Sequence, residues 1–320
     1  MIKVGIIGAD KPDSGELLRI LVNHPEVDVV SLFAPGMTGR QVTSCHAGFI
    51  GERAMTFSDK IDPSKLDVVF IADDSQVGKD VKDRVAEWPE LRVIDLSPSR
   101  FDGSLSSEFA YGLSEINRKG LVRGAKYAAV PSPMAALALI ALYPLASHLL
   151  LSADLEVVVS APDDIVKSVD TNIITDEILW QLRNAQSSLD GNVTIKLLPA
   201  DSHRVMRIHT ILKCPLALDE VEKIYDSIFD DHNFTFTSFS NVGGEEVEGT
   251  QKSVVSFNKP GAGLLEIVCV ADCRLRGGAG DAVHAMNLLF SLHEKVGLQL
   301  KSAAYGSCGE TVSKVASWFA

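Results

Sequence analysis

The chain opens on a short apolar run that contains a glycine, Lys3-Val4-Gly5-Ile6-Ile7, and then changes period. From Ser14 to Asn23 the apolar positions return at helical spacing (Leu17, Leu18, Ile20, Leu21, Val22), so a buried strand followed by a helix is predicted. Val27 to Phe33, Leu66 to Ala72 and Leu91 to Leu96 are further strand-like runs, with a helical pattern at Lys79 to Trp88. Strands alternating with helices predict an α/β unit with a parallel, doubly wound sheet, its right-handed crossovers placing helices on both faces.

The second half is patterned differently. Leu155 to Ser160, Val193 to Leu198, Val205 to Leu212 and Leu264 to Val270 read as strands, and Leu218 to Phe229 as an amphipathic helix. Gly277-Gly278-Ala279-Gly280 opens a helix expected to run to His293. Longer strand runs with fewer intervening helices predict an α+β unit. The boundary is placed near residue 150: residues 1–150 form the first domain, 151–294 the second, and a tail of about 295–320 is expected to return to the first. The most apolar stretch, Met134 to Leu151, is interrupted by Pro144, Ser147 and His148, and reads as a buried core helix rather than a membrane span.

Composition narrows the function. The 320 residues are 46% apolar, enough for a real core, and carry a net charge of -12 with no basic run. Phosphate-contacting nucleic-acid binding is therefore not expected. The five cysteines, Cys45, Cys214, Cys269, Cys273 and Cys308, are odd in number and form no CxxC pair, so neither a disulfide framework nor a metal site is indicated. The opening residues lack a signal-peptide pattern, and a cytoplasmic location is expected.

The sequence VGIIGADKPDSGELL has the place of a Rossmann first turn, where glycines let the backbone approach a pyrophosphate. Gly5 and Gly8 fit a GxxGxxG spacing, but the third position is Lys11. Ala9, Lys11 and Ser14 complete the candidate nucleotide-binding turn. Asp10 and Asp13 would repel phosphate oxygens, and Pro12 lacks an amide donor. No acid ends the second strand to hold a ribose diol, whereas Arg40 could face a 2′-phosphate.

Several stretches together resemble N-acetyl-gamma-glutamyl-phosphate reductase, a family of the semialdehyde dehydrogenase superfamily, and look most like its Bacteroidetes-type branch. They are MIKVGIIGA…GELLRILVNHPEV, Val93-Ile94-Asp95-Leu96-Ser97, Tyr111-Gly112-Leu113-Ser114-Glu115-Ile116-Asn117-Arg118 and, above all, Arg276-Gly277-Gly278-Ala279-Gly280-Asp281-Ala282-Val283-His284-Ala285-Met286-Asn287-Leu288. Val296-Gly297-Leu298-Gln299-Leu300-Lys301 also fits. The resemblance implies a Rossmann domain that binds NADP, with Gly277, Gly278 and Gly280 joining the cofactor-binding set. It also implies a second domain with the catalytic loop and the contacts of a homo-oligomer. The implied reaction belongs to arginine biosynthesis. A thiolate at a helix N-terminus displaces phosphate from an acyl phosphate, and hydride from NADPH releases the semialdehyde, with a histidine as acid/base.

The residues that carry this chemistry do not carry over. The family's Pro-Gly-Cys falls on Pro131-Ser132-Pro133, so Pro133 stands at the nucleophile position and Ser132 is expected as the helix N-cap. Asn172 to Ile178 stands where the family has its His-Arg-His run and Pro-Glu-Ile, the substrate loop is shortened to Ser160–Ile165, and no histidine lies between His148 and His203. His203-Arg204 and His209 are expected on a strand. Cys273, beside Arg274 and Arg276, is a candidate for a relocated nucleophile, against a buried thiol that fills space. Three readings stay open. One is a chain that has lost the family's reaction, and another a reductase with an altered substrate or moved nucleophile. The third is a non-catalytic regulatory partner of an active reductase.

Overall fold

The computed structural model describes residues 1–52, 54–101, 105, 108–151, 154–238, 240 and 242–303. Cys308 and the tail beyond residue 303 lie outside them. The first sheet contains β1 (Ile2–Ile7), β2 (Val27–Phe33), β3 (Val68–Ile71), β4 (Arg92–Asp95), β5 (Phe109–Tyr111) and β6 (Tyr127–Ala129), in the order β2-β1-β3-β4-β6-β5. Every pairing in it is parallel. The strand order reverses between β1 and β3, and the crevice beyond their carboxyl ends is the switch point at which such sheets bind ligands. Helices α1 (Pro12–Leu21), α2 (Gln76–Asp83) and α3 (Ser114–Val122) connect these strands.

The second sheet is mixed: β7 (Leu155–Ala161), β8 (Val193–Pro199), β9 (Val205–Lys213), β10 (Thr235–Ser238), β11 (Ser253–Asn258) and β12 (Leu264–Asp272) lie in the order β10-β11-β12-β9-β7-β8. The long central pairs β9–β12 and β11–β12 are antiparallel, while β7–β8 and β10–β11 are parallel. Helices α4 (Pro133–Ser147), α5 (Asp163–Ser168), α6 (Thr171–Ala185), α7 (Leu218–Phe229) and α8 (Ala279–Leu289) complete the fold. None of the helices is long and apolar enough to cross a membrane among the described residues.

Helix α4 is apolar all round, with Met134 to Leu142 wholly buried, and a helix of that kind belongs in a core. Its neighbours are the apolar faces of α6, β9 and β12, so it fills the core of the second sheet. The reverse exchange occurs at α8, which packs on α1, α3 and β4 of the first. The two sheets thus trade helices across residue 150, and α4 and α8 start side by side. Arg204 ties the units further, donating to Glu16 on α1 and to Asp272 on β12.

Some boundaries differ from the pattern. The helix expected at Lys79–Trp88 is α2 followed by a 3-10 turn at Val85–Glu87. Helix α8 stops at Leu289, four residues short of His293, and Ser291 takes a left-handed φ of 56°. His203 and Arg204 precede β9 rather than lying on it.

Candidate active site

The first candidate centre is the start of α4. Pro133 is its first residue and Ser132 its N-cap, the Ser132 hydroxyl accepting from the Ala135 amide at 3.3 Å. The same hydroxyl donates to Glu177 Oε2 at 2.9 Å, and the Ser132 amide donates to Glu177 Oε1 at 3.3 Å. The Tyr111 phenol donates to Glu177 Oε1 at 2.8 Å. A carboxylate from α6 therefore sits at the mouth of α4, where the helix dipole and free amides favour negative charge. Burial raises the Glu177 pKa, and Arg100, Tyr111 and Ser132 only partly oppose it. Arg100 is held by carbonyls of Ser97 and Val130.

Gly277 closes the centre from the other side. Its φ is +68°, and a Cβ there would lie 2.4 Å from Pro133 Cα. Backbone of the Gly277 turn is thus packed directly on the residue at the nucleophile position. Gly278 lies against the Arg274 carbonyl and Gly280 against Gln251 and the Leu275 carbonyl. These three glycines have protein, not open space, against their Cα atoms. Their turn is pinned by Asp281, which accepts from the Gly277 amide at 2.6 Å and from the wholly buried Arg276 at 2.9 Å. Arg276 also pairs with Glu115, so its charge is spent on carboxylates.

Cys273 is 2% exposed, and its Sγ donates to the Arg204 carbonyl at 2.9 Å. Burial pushes the thiol up to about 12, and Arg274 does not offset it. The expectation that neighbouring arginines would lower this thiol is corrected: Arg274 binds Asp164 and Arg276 faces Glu115 and Asp281. His209 pairs with Glu266 on the neighbouring strand, at 2.7 Å.

The second candidate centre is the start of α1. Gly8 takes a φ of +76°, as a tight turn after β1 requires. The turn's donors are largely spent within the protein. The Gly8 and Ala9 amides donate to the Phe33 carbonyl, that of Lys11 to Gly8, and that of Ser14 to Lys11. The Ser14 hydroxyl donates back to the Gly8 carbonyl at 2.8 Å. Asp73, at the end of β3, presses on Gly8: a Cβ on Gly8 would meet its Oδ2 at 3.0 Å. The Lys11 ammonium reaches Asp10 at 3.4 Å. Gly5 lies inside β1 against Leu66, not in the turn. Arg40 is exposed in the loop after β2, its side chain without an ion pair among the described residues.

Sequence reasoning missed Glu177, His46 and Asp73. His46 donates from Nε2 to the Ala9 carbonyl, 2.8 Å away, and covers Gly15. Glu177 had a readable signal. Ile174, Ile178 and Leu182 form the buried stripe of α6, and Glu177 and Gln181 interrupt it.

Residues 3–123 match the family model for the NAD-binding domain of semialdehyde dehydrogenase. The N-acetyl-gamma-glutamyl-phosphate reductase of Phocaeicola vulgatus is 32% identical over 324 residues, covering 95% of this chain and all of that protein. The Bacteroides fragilis reductase of the same name is equally similar, at 32% over the same spans. Among solved structures, aspartate semialdehyde dehydrogenase II of Vibrio cholerae, complexed with ASA, superposes with a TM-score of 0.68 at 13% identity, covering 91% of this chain and 98% of that one. The Candida albicans aspartate semialdehyde dehydrogenase with NADP gives 0.69 at 12% identity, over 92% and 99%. The solved structures establish a semialdehyde dehydrogenase fold. With the reductases aligned along their whole length, the chain belongs to the N-acetyl-gamma-glutamyl-phosphate reductase family.

Proposed function

We propose that this chain keeps the reductase scaffold but has lost the reductase reaction, and acts as a cytoplasmic homo-oligomer that binds or regulates rather than reduces. The observation that carries the reading is Pro133 at the first position of α4, beside a cap whose hydroxyl and amide are both engaged by Glu177. Without a thiolate there, no thioester forms, and the reaction loses its covalent step. Relocation to Cys273 is disfavoured by a buried thiol held at about 12. A homo-oligomer is supported by Ile211 of β9 and Leu198 of β8, both half exposed on a sheet whose other face carries α4.

The turn at α1 does not fit the dinucleotide phosphates that the family implies. The Gly8, Ala9, Lys11 and Ser14 amides are engaged internally, Pro12 has none, and Asp73 lies against Gly8. NADP binding is therefore weak or absent. Calorimetric titration with NADPH tests this. A dissociation constant of about 1 μM or tighter, worth roughly 8 kcal/mol, sinks this part of the reading.

The assay for the whole reading is phosphate-dependent oxidation of N-acyl-glutamate semialdehyde with NADP. The purified chain is expected to give no turnover, and Pro133→Cys alone is expected not to restore it. Robust turnover that Cys273→Ala abolishes would replace the reading with a moved-nucleophile enzyme.

A further inference from the structure

Beside the α4 centre lies a cavity of about 380 Å³, bounded by β5, the start of α3, the second half of α4 and the last turns of α6. Four aromatic side chains line it, Phe109, Tyr111, Tyr143 and Trp180, together with the amides of Asn117, Gln181 and Asn184. Trp180 stands edge-on to Tyr111, with ring centroids 6.2 Å apart, so two walls brace each other. Among the described residues, no side chain that lines the cavity carries a formal charge.

Of the amide side chains in this lining, Gln181 is the most deeply buried. It lines this cavity, is only 7% exposed, and its carboxamide has no hydrogen-bond partner among the described residues. Its amide atoms keep contact with solvent through the open side of the cavity, so a ligand there would meet an amide bonded only to water. The half-buried Tyr143 phenol is likewise unpaired, and burial raises its pKa, so it faces the cavity as a neutral donor and acceptor. A carboxamide offers one acceptor and two donors in one plane. Aromatic walls favour a flat ring by stacking or edge contacts. A charged ligand would lose its hydration with no counter-charge to meet it.

We infer that this cavity between β5, α4 and α6 is a binding site for uncharged, flat ring compounds whose edge pairs a hydrogen-bond donor with an acceptor, read by Gln181. The size suits one or two fused rings, within the usual range for small-molecule sites. The site is separate from the start of α4 but shares Tyr111, whose ring walls the cavity and whose hydroxyl holds Glu177.

Benzamide and benzoate form the test pair, having the same shape and differing in charge and donor. Binding is read by saturation-transfer NMR and by the indole N–H resonance of Trp180, assigned through Trp180→Phe. Benzamide is expected to bind the full chain with a dissociation constant on the order of 1 mM and to move the Trp180 resonance, with benzoate at least about tenfold weaker. Gln181→Leu, which keeps the volume and removes the amide, is expected to weaken benzamide about tenfold. Ala185→Phe, which fills the cavity, is expected to abolish binding; should that variant misfold, Gln181→Leu alone carries the test. The proposal is overturned by no saturation transfer from benzamide, by benzoate binding as well as benzamide, or by affinity unchanged in Gln181→Leu.

Discussion

Two helix N-termini in this chain stand where the family's chemistry would be expected, and they have departed from it in opposite ways. The start of α4 is closed from within: Glu177 supplies the negative charge, Ser132 and Tyr111 satisfy it, and Gly277 seals the approach to Pro133. The start of α1 has no such internal anion on its axis. Its amides turn back on Phe33, Gly8 and Lys11, and its flank carries Asp10, Asp13 and Asp73, with Lys11 beside Asp10 and Arg274 near Asp13. A helix terminus plugged by a protein carboxylate has become part of the core. One ringed by carboxylates has only lost its attraction for phosphate. The first change is bound up with stability and the second is not, which separates what mutation should do at each.

The largest effect is expected at the seal. Gly277→Ala must hold a Cβ in a left-handed conformation and against Pro133 backbone that cannot yield. A loss of about 4 kcal/mol is expected in urea denaturation. A loss below about 1 kcal/mol would mean that the α4–α8 junction gives way easily. Glu177→Leu comes next. It strands the Tyr111 hydroxyl and both Ser132 donors in the core, at an expected cost of about 3 kcal/mol by the same measurement.

The conservative change at Glu177 sharpens the comparison through pH. Burial raises this carboxyl's pKa in the folded state, so its contribution is fully present below the unfolded value of about 4.3 and is lost as pH rises through the folded value. Gln keeps the shape and never ionises. The melting temperature of Glu177→Gln relative to the unmodified chain is therefore expected to climb between pH 4 and pH 7. A flat difference would show that the carboxyl is not pushed up by its burial.

How much of this was legible follows the same division. The parallel sheet was readable because β1, β2, β3 and β4 are short apolar runs separated by helical spacing, and strands covered on both faces, as β3 is, read as continuous apolar runs. The cap at Ser132 was readable because a serine before Pro133 has one common use. The Glu177 plug was not, because the break in the buried stripe of α6 marks the residue but not what it binds. Its partners Tyr111 and Ser132 are 66 and 45 residues away. Likewise Lys11, Pro12 and Asp13 stand in the turn itself, but Asp73 reaches Gly8 only because β3 lies next to β1. Boundaries failed where Ser291 reverses the chain by a left-handed φ with no glycine to signal it.

The smallest expected effect lies at the open terminus. Asp10→Asn and Asp73→Asn each remove one carboxylate from the place a pyrophosphate would occupy, without touching the core. Both side chains are partly exposed, so water and salt screen them, and relief of about 1 kcal/mol apiece is expected. The pair together should raise NADPH affinity by about thirtyfold at low salt, read by calorimetry, and less at high salt. Such a gain would place the defect of this turn in its charge. No gain would place it in the amides, because Gly8, Ala9, Lys11 and Ser14 would still donate inward and Pro12 would still have nothing to give.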